Sequence, residues 1–143
     1  MKTQKGFSLL ELLIVVAIIL IIATIAIPSL LRSRQSANET SAVANMRTLN
    51  TAQVSYSSSN AGAYGSLSDL ISAGLSDSRF TAAVSGYSYS IDVESGGLGY
   101  TLYANATSTN TGRFDYYTTP DYVIRYTSAT TRAPDGLAGE PVR

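Results

Sequence analysis

The chain begins with a long apolar segment, which constrains its fold more than any other feature. From Leu9 to Leu31 the only charged residue is Glu11. A helix of this length is long enough to cross a hydrocarbon layer of about 30 Å. Placing a carboxylate in that layer costs at least about 2.5 kcal/mol. We therefore predict that Glu11 has a compensating partner, a positive charge on another molecule.

Two simpler interpretations of the segment are possible. An ordinary secretory signal peptide has a basic start, an apolar core of about 7–15 residues and a small-residue cleavage site. Thr24-Ile25-Ala26 could serve as that site, but the apolar run is longer and contains Glu11. A plain membrane anchor explains the length from Leu9 to Leu31 and leaves Glu11 without a role.

The residues around Glu11 resemble a known signal. Lys5-Gly6-Phe7-Ser8-Leu9-Leu10-Glu11, followed by the apolar run and Pro28, is similar to the class III signal of type IV pilins and of type II secretion pseudopilins. The resemblance implies that a membrane peptidase cuts between Gly6 and Phe7 and that Phe7 is N-methylated. It also implies that Glu11 is used in assembly and that Pro28 bends the helix. Lys2 and Lys5 lie at one end of the segment and Arg32 and Arg34 at the other, so the count of positive charges does not set its orientation. The resemblance implies that the leader is cytoplasmic.

Composition limits the remaining functions. The 143 residues suit one small domain beyond the N-terminal helix, and the chain has no cysteine or histidine. The disulfide loop of many type IV pilins is therefore missing, as are the commonest zinc ligands and two common nucleophiles. We predict no enzymatic activity, no metal and no cofactor. Both lysines lie in the leader, and the mature chain carries a formal side-chain charge of −2, so composition does not support nucleic-acid binding.

One long helix is predicted first. Pro28 removes a backbone donor and predicts a kink, but the sequence after it contains no turn signal. Further along, Val43, Met46, Leu49 and Tyr56 recur at near-helical spacing and predict an apolar stripe that packs on a sheet. The helix is expected to end near 57–62, where glycine and short polar residues compete with helical hydrogen bonding.

The C-terminal half predicts a short helix and an antiparallel sheet. Ser66 as N-cap, Asp69 in the first turn and Gly74 as a stop mark the short helix. Strands are predicted at 87–93, 100–104, 113–117 and 122–126, and the tail from Thr127 reads as a loop. The fold class is therefore α+β: a long N-terminal helical spine, kinked near Pro28, with a small antiparallel sheet of three or four strands on its C-terminal half.

Two weaker patterns favour structural interpretations. All ten tyrosines lie from Tyr56 onward, and tyrosine is a common strand residue. Asp115, Asp121 and Asp135 match no calcium loop in their spacing. We predict that these three aspartates are solvated turn residues.

The expected organisation is a cleaved leader at 1–6, a transmembrane and assembly helix at 7–31, a periplasmic amphipathic continuation at 32–61, and a β-rich globular domain at 62–143. The resemblance implies a structural subunit of a type IV pilus filament. Its expected partners are other copies and other pilins, the prepilin peptidase and N-methyltransferase, and an inner-membrane assembly platform. Glu11 would pair with the N-terminal amine of a neighbour.

The subunit is expected in the inner membrane before assembly and in an extracellular filament, or a periplasmic pseudopilus, afterwards. A pilin is favoured over a pseudopilin because 57–65 lacks the Tyr-Pro loop typical of major pseudopilins. The alternatives are a type II secretion pseudopilin and a membrane-anchored exported binding protein that does not polymerise.

Overall fold

The computed structural model describes residues 6–128 and 139–142. By internal contacts the chain divides into two compact units, one ending at Ser33 and one beginning at Arg34. Helix α1, Leu9–Ser59, includes residues of both. Lys2, Lys5 and Asp135 lie outside the described residues.

Helix α1 has the length that the sequence predicts. Pro28 lies inside it, and the helix continues on both sides. The kink at Pro28 stays a prediction. At the other end, Gly62 adopts a φ of 87° and its N–H donates to the carbonyl of Ser57 at 2.9 Å. This left-handed residue suits glycine and closes the last turn of the helix.

A short capped helix, α2, follows at Leu67–Ser72. Ser66 accepts a hydrogen bond from the Asp69 N–H, and the Asp69 carboxylate accepts one from the Ser66 N–H, which together form a capping box. Gly74 stops the helix with a φ of 70°. The predicted start and stop of this helix are both confirmed.

The sheet has five antiparallel strands in sequential order: β1 Tyr87–Val93, β2 Tyr100–Ala106, β3 Phe114–Thr118, β4 Arg125–Ser128 and β5 Glu140–Pro141. The pairing of Tyr89 with Ala104 and of Ile91 with Leu102 places these side chains on the inner face. The outer face of β1 carries Ser88 and Asp92, which are exposed. The strand predicted at 87–93 is confirmed, and its residues alternate between the buried and the exposed face of the sheet.

The core of the second unit lies between α1 and the inner face of the sheet. The predicted stripe supplies Met46 and Leu49, both fully buried, with Val43 and Tyr56 partly buried beside them. The sheet supplies mostly tyrosine and aliphatic side chains: Tyr87, Tyr89, Ile91, Tyr100, Leu102, Ala104 and Tyr116. The buried tyrosines are therefore structural.

Three details of the sheet differ from the prediction. The strand predicted at 122–126 begins only at Arg125, because Tyr122 has a φ of 61° and donates its N–H to the carbonyl of Thr119 in a turn. A fifth strand, Glu140–Pro141, lies in the segment predicted as a loop, and β4 extends to Ser128. A two-residue strand is too short to leave a period-two pattern.

Candidate functional site

The N-terminal site begins with two exposed residues. Gly6 and Phe7 precede the first turn of α1, and Phe7 is 87% exposed. A Cβ added at Gly6 would meet no heavy atom within 4 Å. The peptide bond between Gly6 and Phe7 therefore lies in an uncrowded segment outside the helix.

Glu11 is held by the start of its own helix. Its Oε2 accepts a hydrogen bond from the Ser8 N–H at 2.9 Å, while Ser8 Oγ accepts one from the Leu10 N–H at 3.3 Å. Glu11 reaches back to the Ser8 N–H as the third residue of a capping box does, but the Ser8 hydroxyl bonds the N–H of Leu10 and not that of Glu11. The two bonds satisfy backbone donors that a helix start otherwise leaves unpaired. The helix dipole also favours a carboxylate in the first turn. The sequence signal for this role, Ser-x-x-Glu at 8–11, is absent from our sequence interpretation.

The apolar segment after Glu11 is exposed, because no other part of its unit packs over it. Every large hydrophobic side chain from Leu9 to Leu31 is exposed. In the part of the chain that the structure describes, α1 is the one helix whose length and composition would allow it to cross a membrane. An apolar surface of this extent marks a site of contact with a membrane or another protein.

The second unit contains an ion pair that the sequence interpretation missed, in which the carboxylate of Glu39 is buried and the side chain of Arg113 is about half exposed. Glu39 on α1 is 7% exposed, and Arg113 before β3 donates to it from its backbone N at 2.9 Å, from Nε at 3.0 Å and from Nη2 at 2.7 Å. Burial alone would raise the pKa of Glu39, but the hydrogen bonds and charge of Arg113 outweigh it and lower that pKa. The pair ties the helix to the sheet across 74 positions of sequence, which no local pattern predicts.

Asp115 is not the turn residue that we predict. It lies inside β3, is 5% exposed, and accepts a hydrogen bond from the Ala106 N–H at 2.8 Å. Burial raises the pKa of its carboxyl group. Asp121 does lie in a turn, where Arg125 donates to its carboxylate at 2.6 Å and thereby lowers its pKa.

Within residues 6–128 and 139–142, no group of three or more histidine, cysteine, aspartate or glutamate side chains is placed to hold a metal ion.

Comparison with known proteins places the N-terminal segment in a class. Residues 1–27 match the family described as the prokaryotic N-terminal methylation motif. The chain therefore carries the N-terminal signal of prepilins, and the long helix followed by an antiparallel sheet is consistent with the α+β fold of pilins.

The relatives that match include two proteins named as type IV pilus or pilin components and a fimbrial protein. The type IV wide pilus major component PilA4 of Thermus thermophilus is 58% identical over 40 residues, which cover 28% of this chain and 30% of that protein. The type IV major pilin protein PilA of Myxococcus xanthus is 46% identical over 53 residues, which cover 37% of this chain and 24% of that protein. A fimbrial protein of Pseudomonas aeruginosa is 52% identical over 52 residues, which cover 36% of this chain and 34% of that protein.

These matches span about a quarter to a third of the length of the curated relatives. No solved structure matches the chain. The roles of Gly6, Phe7, Glu11 and Pro28 in cleavage, methylation, assembly and helix bending stay predictions.

Proposed function

We propose that this chain is a structural subunit of a type IV pilus filament. The observation that carries the proposal is an exposed apolar segment, Leu9 to Leu31, whose single charged residue, Glu11, follows a glycine-ended leader. Before assembly the bilayer of the inner membrane covers this helix. In the extracellular filament the same helices of other copies cover it, so the apolar surface never faces water.

Processing is the first step of the proposed mechanism. A prepilin peptidase cuts between Gly6 and Phe7, and N-methylation follows on the new terminal amine of Phe7. The exposure of Phe7 and the open space around Gly6 support access to this bond. A methylated secondary amine still carries a positive charge.

Glu11 then supplies the counter-charge for assembly. Its Oε2 accepts the Ser8 N–H, but a carboxylate has about four acceptor positions, which leaves room for the amine of a neighbouring Phe7. Opposite charges attract far more strongly in a low-dielectric core than in water. The pairing offsets the cost of burying either charge alone, and lateral packing of the apolar helices supplies most of the cohesion.

The remaining segments follow from this arrangement. Residues 7–31 cross the inner membrane and later form the filament core, with Pro28 at a point where the helix extends or bends. Residues 32–61 continue the helix outside the membrane, and 62–143 form the outer domain. Assembly uses a platform in the inner membrane and accommodates other pilins.

Replacement of Glu11 tests the proposal. Glu11→Ala is expected to leave membrane insertion intact, since an isolated carboxylate is unfavourable in lipid. It is expected to abolish most filament formation, because a buried amine without its counter-charge is strongly destabilising. Glu11→Gln keeps the size and the acceptor for Ser8 N–H and so isolates the effect of charge. The measurement is the yield of sheared fibres at matched membrane levels in cells without the wild-type copy.

N-terminal sequencing separates this function from the alternatives. The mature protein is expected to start at Phe7, whereas a start at Ile27 would identify an ordinary signal peptide. An unprocessed N-terminus together with no shearable fibre would identify a non-polymerising membrane-anchored protein. Fibres confined to the periplasm of a secretion-active cell would identify a pseudopilin.

A further inference from the structure

One apolar side chain of the second unit stands out by its exposure. Leu98 is 83% exposed and lies in the turn between β1 and β2. The turn is held in place: the Tyr64 N–H donates to the carbonyl of Gly97 at 2.9 Å, and the Glu94 N–H donates to that of Gly99 at 2.9 Å. A side chain presented on an anchored turn loses little conformational freedom when it binds.

The same unit contains a groove that suits such a side chain. It has a volume of about 340 Å³ and is lined by Arg47, Asn50, Thr51, Val54 and Tyr122. Val54 and Tyr122 are both exposed apolar surfaces. Tyr122 has a φ of 61°, which is unusual for a bulky residue and costs backbone energy of about 1–3 kcal/mol. Strain of this kind is found preferentially at functional positions.

Charges at the two places are complementary. Two arginines, Arg34 and Arg47, form neither an ion pair nor a side-chain hydrogen bond among the described residues of the second unit. Arg47 lies on the wall of the groove. Asp92 and Glu94, close to Leu98 in sequence, are exposed carboxylates that form no ion pair within residues 34–128 and 139–142.

We propose that Leu98 of one copy inserts into the Arg47–Val54–Tyr122 groove of a second copy, with Glu94 paired to Arg47. Leu98 is not among the residues that line the groove of its own copy, so the proposed insertion is a contact between two chains. A contact between two different surfaces of identical chains is heterologous and produces an open filament when its rotation does not close a ring. The inference rests on the proposed filament function and assigns it a contact between the outer domains.

Cysteine cross-linking tests the contact directly, because the chain has no cysteine of its own. A disulfide requires Cα atoms within about 7 Å. Mild oxidation of filaments carrying Leu98→Cys with Thr51→Cys is expected to give a ladder of covalent oligomers on non-reducing gels. The matched control, Leu98→Cys with Ala37→Cys, uses an exposed α1 position away from the groove and is expected to give no ladder.

Charge reversal provides the second measurement. Arg47→Glu alone and Glu94→Arg alone are each expected to cause loss of sheared fibres, and the double variant to restore them. Leu98→Ser is expected to cause the same loss while leaving the thermal unfolding of the detergent-solubilised full chain unchanged, since Leu98 packs against little.

The outcomes distinguish this inference from the proposed function. Normal fibre yield in Leu98→Ser, together with no ladder in the Leu98 and Thr51 pair, would overturn the contact and leave the filament function intact. Cross-linking of Leu98→Cys alone would mean that the turn meets itself, which also overturns the contact. No fibres from the processed wild-type chain would remove the filament function and the contact with it.

Discussion

The carboxylate of Glu39 shows how one residue connects the two layers of the second unit. It accepts three hydrogen bonds from Arg113, two from side-chain nitrogens and one from the backbone N–H. Because its pKa is lowered in the folded chain, the stabilisation is present above its ordinary value of 4.5 and is lost as the pH falls through the folded value. Acid therefore loosens the attachment of β3 to α1.

Glu39→Gln is expected to lower the free energy of unfolding at pH 7 by about 1.5–3 kcal/mol, the range for hydrogen bonds to charged groups. Thermal unfolding of the full chain in detergent, followed by circular dichroism between pH 3 and 7, is the measurement. The wild type should lose more stability than the variant in the acid part of that range. Equal pH profiles for the two proteins would contradict the assigned role of Glu39.

Asp115 is the opposite case, because burial raises its pKa. Such a group contributes stability that is fully present below its ordinary value of 3.8 and is lost as the pH rises through the folded value. Thr127, its cross-strand neighbour on β4, has a buried hydroxyl without a hydrogen-bond partner among the described residues.

Asp115→Asn is therefore expected to stabilise the full chain at pH 7 by about 1 kcal/mol, because the amide keeps an acceptor for the Ala106 N–H and removes a buried charge. The thermal midpoint at pH 7 is the measurement. Asp92→Asn, at an exposed position of β1, serves as the matched control and should change little. A lower midpoint for Asp115→Asn than for the wild type would show that the ionised form is the one the fold requires.

At the scale of elements, the end of α1 is fixed to the loop that follows it. Gln53 is fully buried, donates from Nε2 to the carbonyl of Gly65 at 2.5 Å and accepts the Gly65 N–H at 3.1 Å. Gly65 has no room for a side chain, since an added Cβ would lie 2.8 Å from the Tyr56 ring. The helix and the start of α2 are thus held together by one amide group.

Gln53→Leu is expected to leave both backbone groups of Gly65 buried without partners, at about 1–3 kcal/mol for each. Amide hydrogen exchange at 60–66 should accelerate, and the thermal midpoint should fall. Ser55→Leu, at a nearby exposed position of α1, is the control and should leave exchange at 60–66 unchanged. Unchanged exchange in Gln53→Leu would mean that other contacts position this loop.

At the scale of the whole molecule, the distribution of amines makes the proposed processing testable. Both lysines precede Gly6, so cleavage leaves the terminal group of Phe7 as the mature chain's one amine. If that group pairs with Glu11 of a neighbour in the filament core, amine-reactive reagents should fail to label intact fibres and should label the chain once fibres are dissociated in detergent. Strong labelling of intact, homogeneous fibres would show a retained leader or an exposed terminus.

Local patterns in the sequence were sufficient to predict much of the fold. Helix α1, the capped helix α2 and strands β1 and β2 depend on apolar periodicity and on capping residues, which act between residues close in sequence. The candidate signal at Gly6, Phe7 and Glu11 is equally local. Even the bond from the Ser8 N–H to the Glu11 carboxylate has a local signal, Ser-x-x-Glu, although the spacing alone does not prove that the bond forms.

The sequence by itself determined the apolar helix, the α+β class and the position of the N-terminal signal, since each rests on neighbouring residues. Only the tertiary structure decided that Glu39 meets Arg113, that Asp115 is buried in a strand, and that Tyr122 belongs to a turn. It also decided that the short strand β5 pairs with β4. The physical reason is that burial and ion pairing depend on which distant segments come together, and a residue's own neighbours in sequence do not contain that information.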